Sequence, residues 1–79
     1  MMVKIVVPEL GEGITKATVS FWYYQPGDAV KENEDLVELV TDKATFNIPC
    51  PCSGILAEIF FKEGDAVNIG DVLGTIKED

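Results

Sequence analysis

The sequence predicts an all-β sandwich or barrel with approximate two-fold symmetry, and three observations lead there. Apolar residues alternate or fall in short runs, with no convincing helical period. Seven glycines and four prolines interrupt the chain at short intervals. A turn sequence, Gly27-Asp28-Ala29-Val30, recurs as Gly64-Asp65-Ala66-Val67 at an offset of 37 residues. The chain of 79 residues has room for one domain, spanning 1–79. A domain of this size buries only about 60–65% of the surface its unfolded form exposes, too little to frame a deep catalytic cleft.

Each element follows from local chemistry. Val3–Val7 is a short apolar strand ended by Pro8. Pro8–Thr15 is a loop with Pro8, Gly11 and Gly13 as its turn residues. Thr18–Tyr24 is a strand rich in β-branched and aromatic residues, and Pro26-Gly27-Asp28 turns the chain after it. Leu36–Thr41 and Ala44–Ile48 are strands on either side of Asp42-Lys43. Pro49–Gly54 is a loop, Ile55–Phe61 a strand, Glu63-Gly64-Asp65 a turn and Val72–Ile76 the last strand. Strands at this spacing, with turn signals between them, build sandwiches or barrels.

The repeat adds geometry. The same offset matches Glu34 to Asp71 and Leu36 to Leu73, and lays Trp22-Tyr23-Tyr24 over Ile59-Phe60-Phe61. Residues 17–40 and 54–77 therefore read as two copies of strand, Gly-Asp turn, connector and strand. Two copies are too few for a solenoid, but each can cover the apolar face of the other. The offset carries Lys43 just past residue 79. The Asp42-Lys43 turn is thus expected at one end of the sandwich, with the end of the last strand and the N-terminal strand at the other.

Composition excludes several functions. Hydrophobic residues make up 47% and charged residues 25%, ordinary globular usage and not that of a disordered chain. The net charge is −8, and all six cations are lysines. Such a chain is a poor ligand for nucleic acid or for anionic membranes. Without histidine there is no imidazole base, no Ser/Cys–His pair and no His-ligated metal. No apolar stretch approaches the roughly 18 residues of a membrane span, and Met1–Pro8 lacks the features of a signal peptide. Cys50 and Cys52, two apart on extended chain, point to one face and are poorly placed to bridge each other. Zinc wants about four ligands, which this chain does not supply. Both read as small thiols, buried or half-buried, in a reducing compartment.

The hairpin at Asp42-Lys43 is the distinctive feature. A two-residue loop there sets Thr41 opposite Ala44, Leu39 opposite Phe46 and Val37 opposite Ile48, a mostly apolar face. The other face pairs Val40 with Thr45 and Glu38 with Asn47. A one-residue slip would exchange the faces, so the pattern fixes the register. Lys43 stands at the tip, where the sequence is not the Asn-Gly or Asp-Gly that such turns favour.

Asp42-Lys43-Ala44 at a hairpin tip resembles the modification site of lipoyl domains, the swinging-arm domains of 2-oxo acid dehydrogenase complexes. The resemblance covers nearly the whole chain. Pro8-Glu9-Leu10-Gly11-Glu12-Gly13-Ile14 is similar to the family's loop after the first strand, and Trp22 with Pro26-Gly27-Asp28-x-Val30 to its next strand and turn. Glu38-Leu39-Val40-Thr41-Asp42-Lys43-Ala44-Thr45 resembles the hairpin, Pro49-x-Pro51-x-x-Gly54 its exit, and Glu63-Gly64-Asp65-x-Val67-x-x-Gly70 the second turn.

The resemblance implies a flattened β-barrel of two four-stranded antiparallel sheets. It also implies lipoic acid joined by an amide bond to Lys43, with Asp42 and Ala44 as flanking recognition residues. Gly11, Glu12 and Gly13 would lie beside the lysine and help partner choice. Implied partners are a thiamin-dependent 2-oxo acid decarboxylase, an acyltransferase catalytic domain, dihydrolipoamide dehydrogenase, and a lipoate ligase or lipoyl transferase. The chain itself would be a non-catalytic monomeric carrier in the bacterial cytoplasm or mitochondrial matrix. It would form the N-terminal part of a longer multidomain acyltransferase. Gly11-x-Gly13 is not a dinucleotide motif, because Lys16 stands where the third glycine would be. Trp22 is expected to pack. Acidic residues Glu32, Glu34, Asp35, Glu38 and Asp42 serve either steering or solubility. Cys50 and Cys52 depart from the family's usual small or apolar residues and leave open thiol chemistry near the arm. A biotin carrier shares the fold but typically brackets its lysine with methionines. A glycine-cleavage carrier is longer, and an unmodified assembly module needs no tip lysine.

Overall fold

Eight strands account for the chain in the computed structural model, which describes residues 1–78. They are β1 (Met2–Val6), β2 (Lys16–Trp22), β3 (Ala29–Val30), β4 (Asp35–Val40), β5 (Thr45–Pro49), β6 (Gly54–Ile59), β7 (Ala66–Asn68) and β8 (Val72–Glu78). No helix occurs among the described residues. Six strands fall where the residue pattern puts them, within about two residues at their ends. Two do not: β3 and β7, read above as connectors after the Gly-Asp turns, are edge strands of two and three residues. Such short pieces carry no detectable period.

The strands form two four-stranded antiparallel sheets, in the orders β5-β4-β2-β7 and β1-β8-β6-β3. The expected two-fold holds residue by residue. In the first sheet Thr18 pairs with Val40 and Ala66, and Val19 with Leu39. In the second, 37 residues on, Ile55 pairs with Lys77 and Ala29, and Leu56 with Ile76. Bulges interrupt β2 between Val19 and Phe21, and β6 between Leu56 and Glu58. Each Gly-Asp turn is closed by its aspartate, with Gln25 N donating to Asp28 Oδ2 at 2.9 Å and Lys62 N to Asp65 Oδ2 at 2.8 Å. Gly27 and Gly64 adopt φ of 98° and 95°, the left-handed region that glycine enters without penalty.

The outer strands obey a second offset. β5 against β4 (Val40–Thr45, Leu39–Phe46, Glu38–Asn47, Val37–Ile48) corresponds to β1 against β8 (Lys77–Met2, Ile76–Val3, Thr75–Lys4, Gly74–Ile5). Here the shift is 43 residues. The difference of six is an insertion in the loop between β1 and β2, which has no equivalent between β5 and β6.

The core lies between the sheets and repeats in matched pairs: Leu36 with Leu73, Leu39 with Ile76, Val19 with Leu56, Val30 with Val67 and Ile5 with Ile48. All are buried. Leu56→Ala is expected to lower stability by about 2–5 kcal/mol through lost burial and a residual cavity. Urea unfolding of the variant checks it, and a loss below about 1 kcal/mol would show that the sheets can close over the gap.

The bulge at Ser20 settles the aromatic strand. Strict alternation from Val19 would bury Phe21 and expose Trp22. The extra residue inverts the phase, so Trp22 is buried and Phe21 faces solvent. The indole Nε1 donates to Phe61 O at 2.9 Å, giving Trp22 the packing role expected of it.

Cys50 and Cys52 are both free and buried. Cys50 takes the position that Val7 holds in the other half: Val7 N donates to Asp71 O at 2.9 Å and Cys50 N to Glu34 O at 2.8 Å. Its Sγ donates to Cys52 O at 2.9 Å. Burial is the main cause that pushes both thiols above their ordinary range. Contrary to the expectation above, neither thiol is placed for chemistry near the arm. Cys50 follows the far end of β5 from Lys43, about 20 Å along extended chain. It lies with Cys52 at the pole where Glu78 N donates to Met1 O.

Candidate functional site

The candidate site is the pole occupied by the β4–β5 hairpin. Its register is the one read from the sequence, down to Val40 opposite Thr45. Neither Asp42 nor Lys43 has positive φ, which excludes the type I′ and II′ turns that suit two-residue hairpins. Another device must hold the tip, and it is Thr41. The Thr41 hydroxyl accepts from Lys43 N at 3.1 Å and Ala44 N at 3.0 Å, and donates to Ala44 O at 3.0 Å. Thr41 N donates to the same carbonyl at 2.8 Å. One side chain thus bonds three backbone groups of the turn, a role sequence reasoning did not assign to it. Thr41→Val keeps the shape and removes these bonds. It is expected to lower stability by about 1 kcal/mol and speed amide exchange at Lys43 and Ala44. Unchanged exchange in a two-dimensional spectrum would contradict this.

Asp42, Lys43 and Ala44 are all exposed, so the amine projects from a braced tip into solvent. The six-residue insertion leans toward it. Gly13 comes to Lys43 so closely that a Cβ on Gly13 would stand 3.8 Å from Lys43 Nζ. That distance is an ordinary contact, so it is the φ of 80° that makes this position resist replacement by a larger residue. Gly11 helps turn the loop, its φ at 148° and its carbonyl accepting from Ile14 N at 3.2 Å, and Glu12 is exposed. Of the three loop residues, Gly13 is the one brought against the lysine. A shallow depression there is lined by Gly13, Ile14, Thr15, Lys16, Asp42 and Lys43. Lys16, noted above only for interrupting a glycine motif, is the second cation at this pole. No cluster of metal-ligating side chains occurs among the described residues. No helix of the described residues is long and apolar enough to cross a membrane.

A family model for biotin and lipoyl attachment, described as "Biotin-requiring enzyme", matches residues 3–76. The chain belongs to this biotin/lipoyl-attachment family. Within it the similarity is to lipoyl domains. The chain is 40% identical to the lipoyl domain of the dihydrolipoyl succinyltransferase component of the 2-oxoglutarate dehydrogenase complex of Escherichia coli, covering 100% of this chain and 99% of that one with a TM-score of 0.80. Against the lipoyl domain of the 2-oxoglutarate dehydrogenase complex of Azotobacter vinelandii, identity is 38%, coverage 96% of both chains and the TM-score 0.78. It is also 46% identical over 78 residues to the dihydrolipoyllysine-residue succinyltransferase component of that complex in Rickettsia conorii. That match takes in 99% of this chain and 20% of the relative. The chain thus spans about a fifth of the length of the curated relatives it matches.

Proposed function

We propose that this chain is a non-catalytic swinging-arm domain that carries a lipoyl group in amide linkage on Lys43. We place it in a dihydrolipoyllysine succinyltransferase serving a 2-oxoglutarate dehydrogenase complex. The observation that carries the reading is an exposed lysine at the tip of a hairpin braced by Thr41, in a chain of the lipoyl-attachment family. The succinyltransferase relatives favour 2-oxoglutarate over the other oxo acids and favour lipoate over biotin. Their bacterial sources favour the cytoplasm over the mitochondrial matrix.

When bound, the group supplies a dithiolane that a thiamin-dependent decarboxylase acylates reductively, that yields its acyl group to coenzyme A in the acyltransferase domain, and that dihydrolipoamide dehydrogenase reoxidises. The protein's contribution is presentation. Thr41 fixes the tip, so a ligase or lipoyl transferase meets Asp42, Lys43 and Ala44 in one geometry. Gly13 turns the neighbouring loop past the amine. The Gly11-Glu12-Gly13 loop offers a surface by which the decarboxylase tells this domain from others. Tethering to a longer acyltransferase raises the local concentration at each partner site, and the −8 charge steers the domain to basic ones.

The test is the intact mass and peptide map of the chain after incubation with lipoate ligase, and separately with biotin ligase. A lipoyl adduct on Lys43 alone is expected. A biotin adduct, or none on a folded domain, would overturn the reading.

A further inference from the structure

We propose that a groove beside the hairpin is a resting site for the arm, and that Lys16 recognises the terminal carboxylate of the acyl group on it. This rests on Lys43 carrying the arm. The groove runs over the outer surface of β2, β4 and β7 and is lined by Lys16, Ala17, Thr18, Val40, Asp42 and Ala66. It shares Lys16 and Asp42 with the depression that contains Lys43. A flexible chain leaving Lys43 past Gly13 therefore enters the groove between these two residues.

The lining suits such an occupant in two parts. Ala66, the Thr18 methyl and an exposed Val40 give apolar walls, with Ala17, whose side chain is buried in the core, behind them. A methylene chain and its dithiolane lose water-exposed area against them. The two-fold does not demand this surface. Val40 corresponds to Lys77, and Lys16 to Ser53, at the other pole. Lys16 supplies the polar part. In a chain with 14 acidic residues and six lysines, it is the one cation other than Lys43 among the residues lining either depression. A succinyl thioester ends in a carboxylate and an acetyl thioester does not. Asp42, which lines both depressions with Lys16, repels that carboxylate and leaves Lys16 as its partner. An exposed pair of this kind raises the docked population about two- to fivefold and is screened by salt.

The experiment uses the lipoylated chain with its arm reduced. The arm is acylated by thioester exchange from succinyl- or acetyl-coenzyme A: the arm thiol attacks the carbonyl and the coenzyme thiol leaves. Amide spectra are recorded for each form. Lipoylation is expected to shift Ala17, Thr18, Val40 and Ala66. Succinylation should enlarge those shifts and add one at Lys16, which acetylation does not produce. The succinyl increment should vanish in 0.5 M salt and in Lys16→Met, which keeps the apolar stem. Shifts confined to residues 41–44, or equal shifts for the two acyl groups, would overturn the inference while leaving the carrier reading intact. Failure of Lys43 to take lipoate at all would remove both.

Discussion

Gly74→Ala is expected to destabilise the domain by about 3 kcal/mol or more, and Gly54→Ala by a similar amount. A Cβ built on Gly74 would lie 2.3 Å from Glu58 O, and one on Gly54 2.3 Å from Lys77 O. Both obstacles are backbone atoms of the neighbouring strand, which cannot rotate aside as a side chain can. Replacing glycine with alanine normally stabilises by about 0.4–1 kcal/mol, because the unfolded chain loses freedom. The steric cost must therefore exceed that gain, and overpacking of this kind typically costs about 1–3 kcal/mol even where side chains can yield. A domain of this length holds roughly 4–12 kcal/mol in all, so the double variant should lose about half of it or more. Urea titration at 25 °C decides the matter. A midpoint equal to or above the parent's would mean that β6 and β8 can separate freely and that the glycines mark no close approach.

Lys43→Arg is expected to abolish lipoyl attachment while leaving the fold unchanged. The substitution keeps the positive charge at an exposed tip, and the bonds that hold the turn come from Thr41 and from backbone at 43 and 44. What disappears is the one amine in the geometry the attaching enzyme meets; a guanidinium, protonated throughout the physiological range, is not a nucleophile for amide formation. Incorporation should fall at least a thousandfold, read as intact mass after incubation with lipoate ligase. The unfolding midpoint should stay within about 0.5 kcal/mol of the parent, as for surface changes that touch no special feature. Residual lipoylation at Lys16 or another lysine would show that the hairpin does not select the site.

The β4–β5 register was legible because a period of two residues and a two-residue loop leave one arrangement that buries Leu39 and Val37. The two-fold was legible from Gly27-Asp28 and Gly64-Asp65. Only half of it showed, because six residues inserted before β2 hide the match between β1 and β5, and with it the equivalence of Cys50 and Val7. The inversion at Trp22 was not legible, since a bulge at Ser20 leaves no mark in residue type. Lys43 as the site residue came from the tip position and the resemblance together. Thr41 and Lys16 emerged only once the hydroxyl's bonds and the shared lining were in view.

The paired poles have one more consequence. Thr41 N donates to Ala44 O at 2.8 Å, and at the other pole Glu78 N donates to Met1 O at the same distance. Residues 1–41 and 44–78 thus behave as two copies of one unit clasped like a homodimer, and Asp42-Lys43 is the splice that makes them a single molecule. Lys43 belongs to neither copy and contributes to neither half of the core. The splice can therefore change its chemistry without disturbing the dimer-like body, and a two-residue bridge from 78 to 1 would close the ring so that it could be reopened at the lysine.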